Sequence, residues 1–593
     1  MNTTRTLAIA GLFVCVGVLF GSSGFGAKAA AAQDKVTAQD RLKQLRERAL
    51  AADAEDEAAG DLDLFVDVVN VNVVNVEVYV TDKKGNRING LTRDDFEVFE
   101  DGKQVQISNF YAVEGGRPVA GDIPEIVPPS EAPEAIQAPP TEGPQLPPDQ
   151  QLSLIIYIDN FNIRPPNRNR ALRDIRTFLL QNVQPGDQVM LVSYERSIKI
   201  RRPFTTDPQV VASALTELER LTGYADQRDY DRRDTLDRIE DARSPSEALT
   251  WARSYAEQRQ NDMRFTINAL KEMVSSLAGL PGRKAILYVS DGIPMVAGQD
   301  LFHAVDGLHG SQSGAITEAF GYDTSSKFRE LAAQANASRI TFYTLDAAGL
   351  RVSNAISAEN SRSEPLGIES INTSNLQSPL RYVAETTGGF AIINRNRFDG
   401  MLERVAMDFT TFYSLGYRAP ETRRGRYHRI EVKLKDKKGR VVRHREGYRD
   451  KTVEARMTDG AMSVLHFNFE RNPLGTRLEF GSERQRDRRF YEVPVKVRIP
   501  IGELVLIPRE ETHESRVRLY IAAMDTDGGT SPVQQQVVPI SIPSDEIEQA
   551  KAQDYVYTLS LLMREGDHKV AVGVRDEVAS VESFVLGSVR VGG

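Results

Sequence analysis

The stretch LSLIIYIDNFNIRPPNRNRALRDIRTFL, Leu152 to Leu179, decides the fold. Leu152–Ile158 is a nearly continuous apolar run that stops on Asp159. A run of that length reads as a strand buried on both faces. The Pro165-Pro166 pair then opens a segment with helical composition, since proline is tolerated in the first helical turn. Strand, acidic loop, helix is the first half of a βαβ unit, and in open α/β sheets ligands bind outside the carboxyl ends of the strands.

The same alternation continues to Tyr417. Further strands are expected at Gln188–Tyr194, Lys284–Ser290, Arg339–Leu345 and Gly389–Ile393, with an antiparallel edge at Ile198–Arg201. Helical stretches between them cover Asn169–Gln181, Pro208–Leu221, Arg264–Ala278, Ser326–Ala337, Leu376–Thr387 and Phe398–Thr411. The predicted domain, 152–417, is an open, mostly parallel sheet with helices on both faces. It carries a charged insertion, 223–262, of helical composition that holds Trp251.

On either side the period changes to two. Val69 to Val80 alternate with polar residues, and Lys84-Gly85-Asn86 and Glu100-Asp101-Gly102 punctuate a small β-module at 65–114. A proline-dense, acidic linker fills 115–151. After the α/β domain, 418–450 reads as a β-hairpin turning at Lys438-Gly439. Residues 451–593 read as a β-sandwich, with Ser463–Phe469 among its strands. The predicted class is therefore multidomain α/β plus all-β.

The N-terminus, MNTTRTLAIAGLFVCVGVLFGSSGFGAKAAAAQ, has a positive Arg5, an apolar stretch and an Ala27-Lys28-Ala29 cleavage pattern. It reads as a signal peptide, 1–29, followed by a helical or disordered spacer, 30–64. Export to the periplasm, envelope or exterior follows, with no membrane span after cleavage, because the apolar run is short of the roughly 20 residues a span needs. The single cysteine, Cys15, leaves with it, so no disulfide or thiolate metal site is expected. A net charge of -9 argues against a nucleic-acid partner.

Asp159 ends one strand and Asp291, in Ser290-Asp291-Gly292, ends another. With this pattern the domain resembles a von Willebrand factor type A domain. There an Asp-x-Ser-x-Ser motif, a distant Thr and a later Asp-Gly hold Mg²⁺ at a metal-ion-dependent adhesion site. The segments DKKGNRINGLTRDDFEVFEDGK, AETTGGFAI and FYSLGYRAP further resemble the bacterial VWFA-related family named for acidobacteria. That resemblance implies an α/β adhesion-type domain and a protein partner. It implies metal ligands at Asp159 and Asp291, but Phe161 and Ile163 stand where the two Ser ligands belong, and the nearest Thr is Thr222. Mg²⁺ needs near-octahedral oxygen ligation, so the site reads as degenerate and no cofactor is expected, the alternative being Mg²⁺ held by Asp159 and Asp291 with water. Arg164 or Arg168 is expected to neutralise Asp159 in place of the metal.

No HExxH, P-loop or nucleophile-elbow spacing is present. The leading functional expectation is a non-enzymatic interaction or adhesion module. The alternatives are a hydrolase using Asp159 and Asp291 as a carboxylate pair, and a purely structural envelope scaffold.

Overall fold

In the computed structural model the described residues are 73–121, 151–184, 186–351, 366–419, 425–526 and 528–592. The signal peptide, the spacer, residues 65–72 and residues 122–150 of the proline-rich linker lie outside them; the start of that expected linker is a correction, since Arg117–Gly121 is a strand paired with Ile107–Glu114. Among the described residues no helix is long and apolar enough to cross a membrane.

The α/β domain has six strands: β1 Leu152–Ile158, β2 Gln188–Tyr194, β3 Ile198–Thr205, β4 Arg283–Ser290, β5 Ile340–Asp346 and β6 Ala391–Ile392. Their order across the sheet is β3-β2-β1-β4-β5-β6, and only β3 runs antiparallel. The eight long helices are α1 Pro165–Asn182, α2 Pro208–Leu218, α3 Ala225–Glu240, α4 Pro245–Leu277, α5 Gln299–His309, α6 Ser325–Ala337, α7 Leu366–Thr386 and α8 Asp399–Thr410.

The two-residue period of β1 divides the core. Leu154, Ile156 and Ile158 pack against α1, α2 and α8, whereas Ile155 and Tyr157 pack against α4, α6 and α7. Both faces are therefore apolar, as the continuous run in the sequence requires. Sheet order reverses between β1 and β4, so the crevice at a topological switch point opens where β1 ends in Asp159 and β4 in Asp291.

The charged insertion folds as α3 and the first half of α4. One unbroken helix of 33 residues runs through the boundary expected near Arg264. Ser244 caps it by accepting from the Glu247 backbone N–H at 3.2 Å. Leu236, Ile239, Leu249 and Ala252 give the insertion its own small core with Leu301, Phe302 and Val305 of α5.

The segments flanking this domain are joined by strand pairing. Val73–Asp82 lies antiparallel between Phe412–Arg418 and Arg440–Arg443, and Phe96–Glu100 pairs with Tyr427–Leu434. Residues 73–121, 412–419 and 425–449 thus form one β-unit around Val76, Val78, Val80, Phe96 and Leu415. The expected hairpin at Lys438-Gly439 is a correction: its two arms join different partners, with Tyr427–Leu434 on Phe96–Glu100 and Arg440–Arg443 on Val73–Asp82.

A second correction lies at Ser463–Phe469, expected as a strand. Val453–Phe467 is a helix, capped by Thr452, whose Met457, Ala461, Val464 and Leu465 recur at helical spacing on its buried face. Beyond it, a four-stranded and a five-stranded sheet share one core containing Val495, Val497, Leu519, Val572 and Val574.

Candidate functional site

The site begins with Asp159, which the end of β1 leaves fully buried at the mouth of α1. Its Oδ1 accepts from the Asn162 backbone N–H at 3.0 Å. Its Oδ2 accepts from the Asn162 side-chain amide at 2.8 Å and from the Tyr288 hydroxyl, with Ser290 Oγ at 3.5 Å. Burial raises the carboxyl's pKa, and the hydrogen bonds from Tyr288 and Asn162 offset part of that rise.

Asn162 links this buried carboxylate to the insertion. Its amide N–H also donates to Thr266 Oγ1 at 3.2 Å, and its Oδ1 accepts from Arg228 at 2.6 Å and Arg259 at 3.2 Å. Phe161 and Ile163 point away into packing. Ile163 joins the α1 face of the core, while Phe161 sits against Tyr194 and Tyr224 with the Arg228 guanidinium 4.6 Å above its ring.

Asp291 serves the other strand end. Its Oδ2 accepts from the Arg164 backbone N–H at 2.8 Å and the Asn167 amide at 2.9 Å, capping α1 from a distant strand. Arg164, the residue before α1, makes no side-chain cap of its own. Burial pushes the Asp291 carboxyl up to about 6, against those hydrogen bonds. Its Oδ1 is buried with no hydrogen-bond partner. Arg351, just after β5, donates to the Asp291 carbonyl at 2.6 Å and approaches Asp346 at 3.3 Å.

Arg164 and Arg168 do not neutralise Asp159. Arg168 is fully buried but reaches Asn160 and the carbonyls of Glu219 and Leu221 at the end of α2. Arg164 pairs with Asp229. Thr222 contributes only its carbonyl, to the Asn160 amide at 3.0 Å. The threonine beside Asn162 is Thr266, which lay beyond the insertion and carried no sequence signal.

Above these groups lies a cavity of about 300 Å³ between the strand ends and α3, α4 and α7. Asn162, Asp291, Arg228, Arg259 and Arg351 line it, whereas Asp159 does not. Six arginines and four carboxylates line it in all. A second cluster, Glu100, Asp101 and His428, lies in the β-unit; there His428 Nδ1 is 3.0 Å from Asp101 and 3.6 Å from Glu100. Tyr448 donates to Glu100 at 3.1 Å and the Arg429 backbone N–H to Asp101 at 3.0 Å, so these oxygens already tie neighbouring strands together.

No family model matches the chain, and no curated protein matches its sequence. Similar solved structures include a von Willebrand factor type A protein from Catenulispora acidiphila, at 10% identity, covering 74% of this chain and 66% of that one, with a TM-score of 0.20. Manganese-loaded TRAP from Plasmodium vivax is similar at 10% identity over 50% and 94% of the two chains, TM-score 0.22. An aerotolerance-related membrane protein from Bacteroides fragilis is similar at 14% identity over 44% and 98%, TM-score 0.23. The fold assignment rests on the sheet itself. Strand order, the antiparallel β3 and an aspartate at the ends of β1 and β4 give a von Willebrand factor type A fold.

Proposed function

We propose that this protein is an exported, non-enzymatic interaction module that works without a metal ion. The observation carrying this reading is the enclosure of Asp159. Both of its oxygens are engaged inside the protein and neither lines the cavity. A divalent cation there needs free oxygen ligands; Phe161 and Ile163 supply none, and two guanidinium groups already meet at Asn162. The residues present therefore do not fit Mg²⁺.

The same geometry weighs against a carboxylate-pair hydrolase. A general acid or base must come within hydrogen-bond reach of substrate, and of the two aspartates only Asp291 borders open space. Binding is what remains for an α/β domain built into a larger β framework, and the signal-peptide pattern supports delivery to the periplasm, envelope or exterior, where a protein partner would be met.

The test is affinity capture from envelope extracts with the full mature chain, in Mg²⁺ and in chelator. The expected result is one partner set, captured equally in both. Capture that vanishes with chelator and returns with Mg²⁺ or Mn²⁺ would refute the metal-free reading.

A further inference from the structure

The cavity at the strand ends has features that protein contact does not explain. Arg228 of α3, Arg259 of α4 and Arg351 of the loop after β5 reach it from three separate segments. Arg259 is only 8% exposed, yet its Nη1 makes no hydrogen bond, and its nearest carboxylate, Asp262, is 3.9 Å away. Arg351 Nε is likewise buried without a hydrogen bond. A buried donor left unmade is costly, so these groups are better satisfied with something between them.

Charge points the same way. Six arginines face four carboxylates, an excess of two positive charges. Two of the carboxylates are already held, Asp300 by Arg232 at 2.6 Å and Asp229 by Arg164. Burial, followed by repulsion from Arg259, brings the Arg228 guanidinium down to about 9. An anion beside both would offset the repulsion between them.

Size and shape narrow the class. The cavity measures about 300 Å³. That accommodates a small anion but not a folded epitope. Guanidinium groups supplied to one cavity by three separate segments match the several oxygens of a tetrahedral anion better than one planar carboxylate, and a dianion balances the excess charge.

We propose that this cavity binds a tetrahedral dianion, a phosphate or sulfate group, held by Arg228, Arg259 and Arg351. The group comes either from the free inorganic ion or from a small phosphate ester. The proposal concerns the cavity alone and holds whether or not the interaction reading above does.

Titration calorimetry on the full mature chain tests it, with inorganic phosphate, sulfate, glycerol phosphate, acetate and chloride at matched ionic strength. Phosphate and sulfate should bind in preference to acetate and chloride, independently of Mg²⁺. Tighter binding of glycerol phosphate identifies the ester as the source; equal or weaker binding identifies the free ion. Arg259→Gln should weaken phosphate about tenfold or more, the loss expected for a charged hydrogen bond. Should that variant misfold, phenylglyoxal modification of the wild type replaces it, with phosphate protecting Arg228 and Arg259. No preference over chloride, tighter acetate binding, or an unchanged affinity in folded Arg259→Gln together with unprotected arginines overturns the proposal.

Discussion

Asp159 and Lys284 show what burial does to single charged groups at opposite ends of the same sheet. Asp159 is retained by the groups that donate to it. Replacing it with Ala takes away the acceptor of the buried Tyr288 hydroxyl, while the two Asn162 donors keep the Asp159 backbone carbonyl and Thr266 Oγ1. The expected loss is about 1–3 kcal/mol, the range for buried donors left unsatisfied. Denaturant titrations in Mg²⁺ and in chelator should give the same loss; a loss seen only with metal present would contradict the structural role. Lys284, at the start of β4, is buried, and its one hydrogen bond goes to the Leu280 carbonyl at 2.6 Å. Burial, then repulsion from Arg339 and Lys451, brings its amine down to about 7. Between that value and the ordinary lysine range the unfolded chain binds the extra proton, so wild-type stability rises with pH across this window. Lys284→Met removes the buried charge and should stabilise the fold by about 1–4 kcal/mol near pH 7. That gain should shrink as pH climbs toward about 10.5, where the lysine is neutral in both states. Thermal melts across that range check the sign, and a gain that grows with pH would be inconsistent with a buried, charged lysine.

Elements were legible where one segment carried its own pattern. The β1 run announced a two-faced strand, and its neighbours emerged within a residue or two of their expected ends, because a strand between two helical layers must be apolar throughout. Val76, Val78 and Val80 likewise read correctly as one face of a strand and are almost completely buried. Val78→Asp puts an unpaired charge into that core and should cost about 3–5 kcal/mol. A neutral effect on melting would mean that this face is not packed. What stayed hidden depended on partners distant in sequence. Alternation in Tyr427–Leu434 identified a strand, but nothing local could say that it joins Phe96–Glu100 and not the nearby Arg440–Arg443. Ser463–Phe469 misled because a short apolar run fits either period; only the longer window back to Met457 shows the helical spacing. The site followed the same rule. Asp159, Asp291, Phe161 and Ile163 sit in or beside one recognisable motif, whereas Arg228 and Arg259 lie in the charged insertion and Thr266 just beyond it, where no motif marks them.

Across the whole molecule, the two ends of the sheet have different partners. The strand ends carry the arginine-lined cavity, while the strand starts are clamped to the flanking β-structure. Arg283 donates to the Tyr79 hydroxyl at 3.4 Å, Arg443 grips the Asp408 carboxylate of α8 at 2.8 and 2.9 Å, and Arg339 pairs with Glu77 at 2.7 Å. The C-terminal β-region docks here as well, through the helix Val453–Phe467. Ser463 Oγ donates to the Ser276 carbonyl at 2.7 Å and accepts from the Gly279 N–H at 3.1 Å. This approach requires that Gly279 have no side chain, since a Cβ there would lie 2.3 Å from the Asp459 carbonyl oxygen. The obstacle is backbone, which cannot swing aside as a long side chain can, so Gly279→Ala must push the helix off the end of α4. The sheets beyond the helix keep their own core and have no reason to unfold with it. Calorimetry of this variant should therefore show the C-terminal region melting apart from the α/β domain, at a separation wider than in the wild type. Because the cavity lies at the far end of the sheet, anion binding there should be unchanged. A single unaltered transition would mean that this contact does not couple the two regions.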